Sequence, residues 1–263
     1  MALSVLSEIR AGVAVATLAA TDSHNALDAA LVRDLTDALR TASADPGCRA
    51  IVLRATGAHF CRGVDLAAAV HDRRADPVLL HGIADCFLAI ARAPQPVIAC
   101  VEGHATGGGV GLVAACDLVL ASQDATFTLS EAIVGMIPAL ITPLLLRRMA
   151  PGRARYMALS TRAISAAEAR DFGLVDAVAP ASAVQGALRQ QLQRILHSSP
   201  RALADIKRYI DSFAEVDLET QLQAALRRLL SWLDDDTVVD GVGRFAAGEA
   251  PAWFQRYEAV SRV

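Results

Sequence analysis

The residues best suited to chemistry lie between Glu102 and Glu131, in the stretch EGHATGGGVGLVAACDLVLASQDATFTLSE. A cluster of glycines, Gly107, Gly108, Gly109 and Gly111, runs into the apolar residues Leu112, Val113, Ala114 and Ala115. Glycines that open a helix let the backbone approach a ligand closely and leave N–H groups unpaired at the positive helix end. Such an end suits a negative charge, whether carried by a ligand or developing during a reaction. Downstream stands a carboxylate, Glu131, of a kind that takes or returns protons. An earlier turn, Gly57 to Leu66, holds His59, Cys61, Arg62, Gly63 and Asp65.

Two other uses of the glycine cluster fail. A phosphate-binding P-loop needs Gly-Lys-Ser/Thr after the glycines, and none is present. The relaxed dinucleotide pattern fits Gly109, Gly111 and Ala114, but the next strand-like run ends near Ala121-Ser122 without the acid that would hold a ribose. A glycine-rich helix start made only for tight packing remains open on spacing alone.

Several elements must hold these residues in place. Ser4–Ile9 and Val13–Leu18 flank Gly12 as the arms of a hairpin. The apolar stretch from Ala11 to Ala20 resembles the core of a signal peptide, but Glu8 and the alternation of Val13, Val15 and Thr17 favour the hairpin. Leu27, Leu31, Leu35 and Leu39 predict an amphipathic helix from Ala26 to Ala44, with Asn25 as its cap. A strand is expected over 49–54 and a polar loop over 67–76. A helix from Pro77 to about Ala93 and a strand over 97–101 follow. Strand, loop and helix recur over 49–66, 97–115 and 117–136, which argues for an α/β core with active groups at strand ends. Further helices are expected at 141–150, 152–159 and 166–172, the last with a Ser165–Glu168 capping box. From Ala181 onward the pattern is helical, and Ser198-Ser199-Pro200 marks a boundary between a core at 1–199 and a helical region at 200–263.

Composition narrows the classes. The chain of 263 residues is 54% hydrophobic but only 5% aromatic, and this excess of small aliphatic side chains predicts an oligomer. A net charge of −3, a single lysine and no basic run disfavour nucleic-acid binding. Five cysteines without a C-x-x-C pair point to a reducing, cytoplasmic setting, to packed thiols and to no metal. No run approaches the roughly eighteen apolar residues of a membrane span.

Motifs in order along nearly the whole chain resemble the enoyl-CoA hydratase/isomerase (crotonase) superfamily. They are Asn25-Ala26-Leu27; Phe60-Cys61 with Gly63 and Asp65-Leu66; Glu102-Gly103 with Gly107-Gly108-Gly109; and Ala115-Cys116-Asp117. Glu131 with Gly135 and Pro138, and Ala167-Glu168-Ala169 with Phe172-Gly173-Leu174-Val175, complete the set. The resemblance implies an α/β spiral of ββα units, a helical C-terminal region that forms a homotrimer or hexamer, and an acyl-thioester substrate. It implies that the N–H groups of Val64 and Gly108 hold the thioester oxygen, that Glu131 is catalytic, and that Arg62, Asp65, Leu66, Gly107 and Gly111 contact substrate. Asp65 is expected to orient its turn rather than move protons. No cofactor is implied beyond the phosphopantetheine or coenzyme A that carries the acyl group.

Hydratases of this family carry two glutamates, and the first falls here at Gly111. One carboxylate suffices for a syn elimination or a double-bond shift, which favours dehydratase or isomerase over general hydratase. The wording of Gly109–Ala115, Thr128–Ala132, Gly135–Ala139 and Leu146-Arg147-Arg148 is similar to a polyketide β-branching subgroup. That subgroup dehydrates 3-hydroxy-3-methylglutaryl to 3-methylglutaconyl on an acyl carrier protein. His59, Arg62, Arg73, Arg74 and His81 are expected near the pocket entrance, where a cation could meet the distal carboxylate. An enoyl-CoA isomerase and a non-catalytic scaffold of the same fold are the alternatives.

Overall fold

The computed structural model describes residues 4–64, 70–71, 74–214 and 216–253. The chain opens with β1 (Val5–Arg10) paired antiparallel to β2 (Val13–Leu18) across Ala11 and Gly12. Both turn residues have positive φ, as in the type I′ turn common in two-residue hairpins. After β3 (Ala26–Leu27) and the helix Ala29–Ala44 come β4 (Ala50–Ala55), β5 (His59–Cys61) and β6 (Gly63–Val64). β7 (Val70–His71) and β8 (Arg74–Ala75) form a small antiparallel pair ahead of the helix Pro77–Arg92. Then follow β9 (Val97–Val101), β10 (His104–Thr106), the helix Gly108–Ala115, β11 (Leu118–Ser122) and β12 (Thr126–Thr128). β13 (Ile164–Ser165) and β14 (Ala177–Ala179) flank the helix Ala166–Phe172.

A six-stranded sheet of order β1-β2-β4-β9-β11-β14 is parallel from β2 onward. A four-stranded sheet of order β13-β12-β10-β5 lies downstream, parallel among β12, β10 and β5. β4, β9 and β11 each lead within a few residues to a strand of the second sheet, namely β5, β10 and β12. The recurrence seen in the sequence is therefore two strands per turn, and the chain winds as a spiral.

Both faces of the large sheet are covered, as parallel sheets require. Ile51, Leu53, Val97, Ala99 and Val101 belong to the main core, while Ala50, Val52, Ile98, Cys100 and Leu120 pack with Val184, Leu188 and Ile195 of the helix Val184–Leu196. Leu218, Leu222, Leu226, Leu229 and Leu233, spaced to one face of the helix Leu218–Leu233, join the main core. The helix Pro200–Asp211 is fastened differently. Lys207 Nζ donates to the carbonyls of Ala93 and Gln95 and pairs with Asp117 at 2.6 Å.

One expectation is corrected at the first long helix. Ala26-Leu27 is a strand, paired with Gly63-Val64, and the helix begins at Ala29 under Asp28, whose side chain accepts from the Leu31 N–H. Asn25 is not a helix cap. It is fully buried with φ 54°, and its Nδ2 donates to the carbonyls of Thr56 and His59. The Ser165–Glu168 capping box and Pro77 at a helix start are present as expected. No helix among the described residues is long and apolar enough to cross a membrane.

Candidate active site

Gly63 adopts φ +91°, and a Cβ on it would lie 2.6 Å from the Thr106 carbonyl oxygen and 3.1 Å from the Gly108 nitrogen. Only glycine lets these two backbones come so close. The contact sets Val64, the next residue, beside the start of the Gly108–Ala115 helix, where a Cβ on Gly108 would lie 3.7 Å from the Val64 side chain. Gly108 opens that helix, so its N–H has no carbonyl one turn back within the helix to bind. The unpaired N–H end of that helix, which suits a developing oxyanion, thus meets the Gly63–Val64 backbone at one point.

Glu131 is delivered to the same place by β12. Gly107 donates its N–H to the Thr128 carbonyl at 2.9 Å, which ties the glycine cluster to the strand leading into Glu131. Glu131 then opens a short helical turn, Glu131–Val134, that ends on Gly135 in the left-handed conformation. Its Oε1 would touch a Cβ on Gly107 at 2.9 Å, and its Oε2 is buried without a hydrogen-bond partner. Burial raises the carboxyl group to about 7, against smaller lowering from its own N–H and that of Ser130. A carboxyl titrating near neutrality can both accept and return a proton.

The cavity in front of Glu131 holds about 390 Å³. Arg62, Val64, Thr106, Gly107, Gly108 and Ser130 line the end near the carboxylate. Its remaining wall is apolar. Leu80, Ile83 and Phe87 come from the Pro77–Arg92 helix, Met136 to Ile141 from the segment after Glu131, and Leu229, Leu233 and Phe245 from the C-terminal helices. Among the described residues Glu131 is the only acid lining it and Arg62 the only base.

Gly111 stands one helical turn past Gly108, directed at a ring instead of open space. A Cβ there would lie 2.5 Å from Cζ of Phe87, which is fully buried. Asp65, Leu66 and Arg73 lie outside the described residues, as does the Arg74 side chain. The structure does not bring His59 or His81 into the cavity wall. His59 lies between His24 and His104, with ring centroids 4.6 and 5.2 Å away, and burial together with these neighbours holds its pKa below the usual value. His81 instead turns Nδ1 to the Pro77 carbonyl at 2.6 Å. Cys61 is buried beside Gly63, whose N–H donates to its Sγ, and burial pushes the thiol up to about 12, so it is a packed thiol rather than a nucleophile. No group of three metal-ligating side chains occurs among the described residues.

The sequence reading missed Phe87 and the C-terminal wall. Each is an apolar residue at helical spacing, the same signal that ordinary core gives.

The comparisons with known proteins agree on one family. The profile described as Enoyl-CoA hydratase/isomerase matches residues 8–256. Enoyl-CoA hydratase ACTT6 of Alternaria alternata is 33% identical over 196 residues, which span 74% of this chain and 65% of that protein. A putative enoyl-CoA hydratase of Thermus thermophilus is 30% identical over 217 residues, 81% of this chain and 86% of that one. Bacillaene synthase dehydratase PksH of Bacillus subtilis is 33% identical over 165 residues, 62% of this chain and 63% of that one. A crystal structure titled as a putative polyketide biosynthesis enoyl-CoA hydratase (pksH) from Bacillus subtilis superposes with a TM-score of 0.83 at 25% identity, covering 94% of this chain and 99% of that one.

Proposed function

The chain belongs to the enoyl-CoA hydratase/isomerase family, and from that premise we propose that it removes water from a 3-hydroxyacyl thioester by syn elimination. The observation that carries this reading is Glu131, the only carboxylate lining the cavity among the described residues, set beside Gly107 with its Oε2 unpaired.

In the proposed reaction the thioester oxygen accepts from the N–H groups of Val64 and Gly108. Glu131 takes the α-proton, and the electron pair of that C–H bond moves onto the thioester as an enolate, whose charge the two N–H groups stabilise. One such donor is worth roughly a hundred- to a thousand-fold in rate. The enolate then collapses to the α,β-double bond as the C–O bond breaks, and Glu131 returns its proton to the departing hydroxyl. One molecule of water leaves and the carboxylate is regenerated. By microscopic reversibility the same group can add water to the enoyl product, so the expectation that one acid favours dehydratase over hydratase is withdrawn and the distinguishing property is the substrate.

The substrate class we propose is 3-hydroxy-3-methylglutaryl held by phosphopantetheine on an acyl carrier protein, giving 3-methylglutaconyl. Similarity to the Bacillus subtilis dehydratase named for bacillaene synthase supports it. Arg62, at the polar end of the cavity, is the cation available to a distal carboxylate among the described residues. Assembly as a trimer belongs to the same proposal, and the exposed Ile206, Tyr209 and Ile210 on the helix Pro200–Asp211, with Phe213 just beyond it, support association of copies.

The experiment compares 3-hydroxy-3-methylglutaryl loaded on a carrier protein, the same acyl group on coenzyme A, and a 3-enoyl-CoA. Loss of one water from the loaded carrier protein by intact mass supports the proposal. A shifted double bond in the third substrate with no water lost from the first two identifies an isomerase, which the same lone carboxylate could also serve. Silence with all three identifies a scaffold.

A further inference from the structure

The chain has two tryptophans, and both converge on one glycine beside Glu131. Trp232, near the end of the Leu218–Leu233 helix, donates from Nε1 to the Gly135 carbonyl at 2.8 Å. Trp253, beyond the last described helix, lays its ring over the same residue, where a Cβ on Gly135 would meet Cη2 at 2.6 Å. The Trp253 ring is also packed against Gly241 of the helix Asp236–Ala246. Gly135 ends the turn that Glu131 begins. Its N–H donates to the carbonyls of Glu131 and Ala132, and the Met136 N–H donates to the Glu131 carbonyl at 2.9 Å. A path of direct contacts thus runs from each indole through Gly135 to the backbone of the carboxylate residue.

The turn needs such support. It is four residues long, lacks a side-chain cap at Ser130, and carries an exposed Ile133. A single helical turn does not hold itself together in water, because its nucleus costs more backbone entropy than its few hydrogen bonds return. The fastening groups come from the helix Leu218–Leu233 and from the segment after the helix Asp236–Ala246, and the same two helices supply Leu229, Leu233 and Phe245 to the cavity wall.

We propose that Trp232 and Trp253 are positioning residues for Glu131, clasping Gly135 so that the C-terminal region of the chain fixes the carboxylate opposite the Gly63–Gly108 contact. The proposal rests on Glu131 being the acid–base group and deepens that reading. Displacing either indole loosens the turn, admits water to Oε2 and moves the carboxylate away from the substrate, while the cavity that binds the acyl chain is left largely in place.

The test uses Trp232→Phe, which keeps a ring but removes the donor, together with Trp253→Ala and the conservative Trp253→Phe. Misplacement of a reacting group by about an ångström costs up to about a hundredfold. Trp232→Phe and Trp253→Ala are expected to lower kcat by about tenfold to a hundredfold with KM within about twofold, and Trp253→Phe is expected to recover most of the loss. The Glu131 carboxyl, followed by its ¹³C signal, is expected to titrate below the wild-type value of about 7 in the two damaging variants. Arg62 is the only other charged side chain lining the cavity among the described residues and is common to all variants, so the change reads lost burial. Amides of residues 131–136 are expected to exchange faster. Folded variants with wild-type titration of Glu131 and wild-type exchange in that segment would overturn the proposal, even if melting temperatures fall. A wild type that shows the titration near 7 and its shift in the variants, yet turns over no acyl thioester, upholds the clasp and removes the catalytic reading instead.

Discussion

The Phe87 ring stands where a side chain on residue 111 would have to go: a Cβ on Gly111 would lie 2.5 Å from Cζ of Phe87 and 3.0 Å from Cε2. The missing second acid is therefore a replaced volume and not a gap that a single substitution could refill. Phe87 is fully buried and lines the cavity from the Pro77–Arg92 helix, so this side of the site is hydrocarbon. A side chain at residue 111 would have to displace the ring.

The pair should behave as one unit. Gly111→Glu alone overpacks the core and is expected to cost about 1–3 kcal/mol. Phe87→Ala alone leaves a cavity and is expected to cost about 3–5 kcal/mol. In the double variant each change relieves the other, so denaturant melts are expected to show a loss smaller than the sum of the two, by at least about 0.5 kcal/mol. Strict additivity would contradict the packing described for Gly111.

Glu131 should set both a pH–rate profile and a pH–stability profile. The α-proton is taken by the ionised form, so kcat/KM is expected to rise with pH and level off above about 7. The folded-state pKa lies above the unfolded value of 4.5, so folding is disfavoured once the group must ionise. Stability from this group is fully present below pH 4.5 and is lost as pH rises through about 7. Glu131→Gln is therefore expected to be more stable than wild type at pH 8, by up to about 3 kcal/mol at 1.4 kcal/mol per pH unit. The difference should vanish below pH 4.5. Melts of both proteins at pH 4 and pH 8 check it, and a stability gap independent of pH would contradict the burial of Oε2.

Backbone donors predict that side-chain identity matters little at one residue and greatly at its neighbour. Val64→Ala is expected to change kcat by less than about threefold, since its N–H is untouched. Gly63→Ala places a Cβ 2.6 Å from the Thr106 carbonyl oxygen at φ +91°, which drives the two segments apart. A loss of about a hundredfold or more in kcat is expected there. Steady-state kinetics on one thioester, with circular dichroism to confirm folding, separates the two. Equal effects at both positions would count against a backbone oxyanion site.

The strand–loop–helix recurrence was legible in the sequence because it rests on local signals, whereas the spiral and the role expected of Glu131 came from the family resemblance. Pro77 and Ser165–Glu168 start helices by capping chemistry that needs no distant partner. Asn25 misled for the opposite reason. Its side chain answers to the carbonyls of Thr56 and His59, more than thirty residues away, and its backbone is left-handed. The short strands β10, β12, β13 and β14, of two or three residues each, are too brief to show a period of two. Phe87, Leu229 and Phe245 were illegible as cavity wall because burying an apolar face against core and against a substrate pocket leave the same spacing.

Arg62 gives a prediction about substrate rather than rate. If it meets a distal carboxylate, Arg62→Ala should raise KM for a 3-hydroxy-3-methylglutaryl thioester by about tenfold or more while leaving a 3-hydroxybutyryl thioester within about twofold. Parallel kinetics on the two thioesters provide the check. Equal losses on both would place Arg62 at the carrier arm or the fold, and the carboxylate contact would have to be sought elsewhere.

The most direct measurement of the central claim is the rate at which Glu131→Gln dehydrates the carrier-bound 3-hydroxy-3-methylglutaryl group, followed by intact mass beside wild type. Glutamine keeps the size and neutral charge of the protonated acid but can take no proton. A single carboxylate that performs both proton transfers predicts a fall of at least about a hundredfold to ten-thousandfold, with the substrate still bound. Loss of water within about tenfold of the wild-type rate would contradict the account and require another group to move the protons.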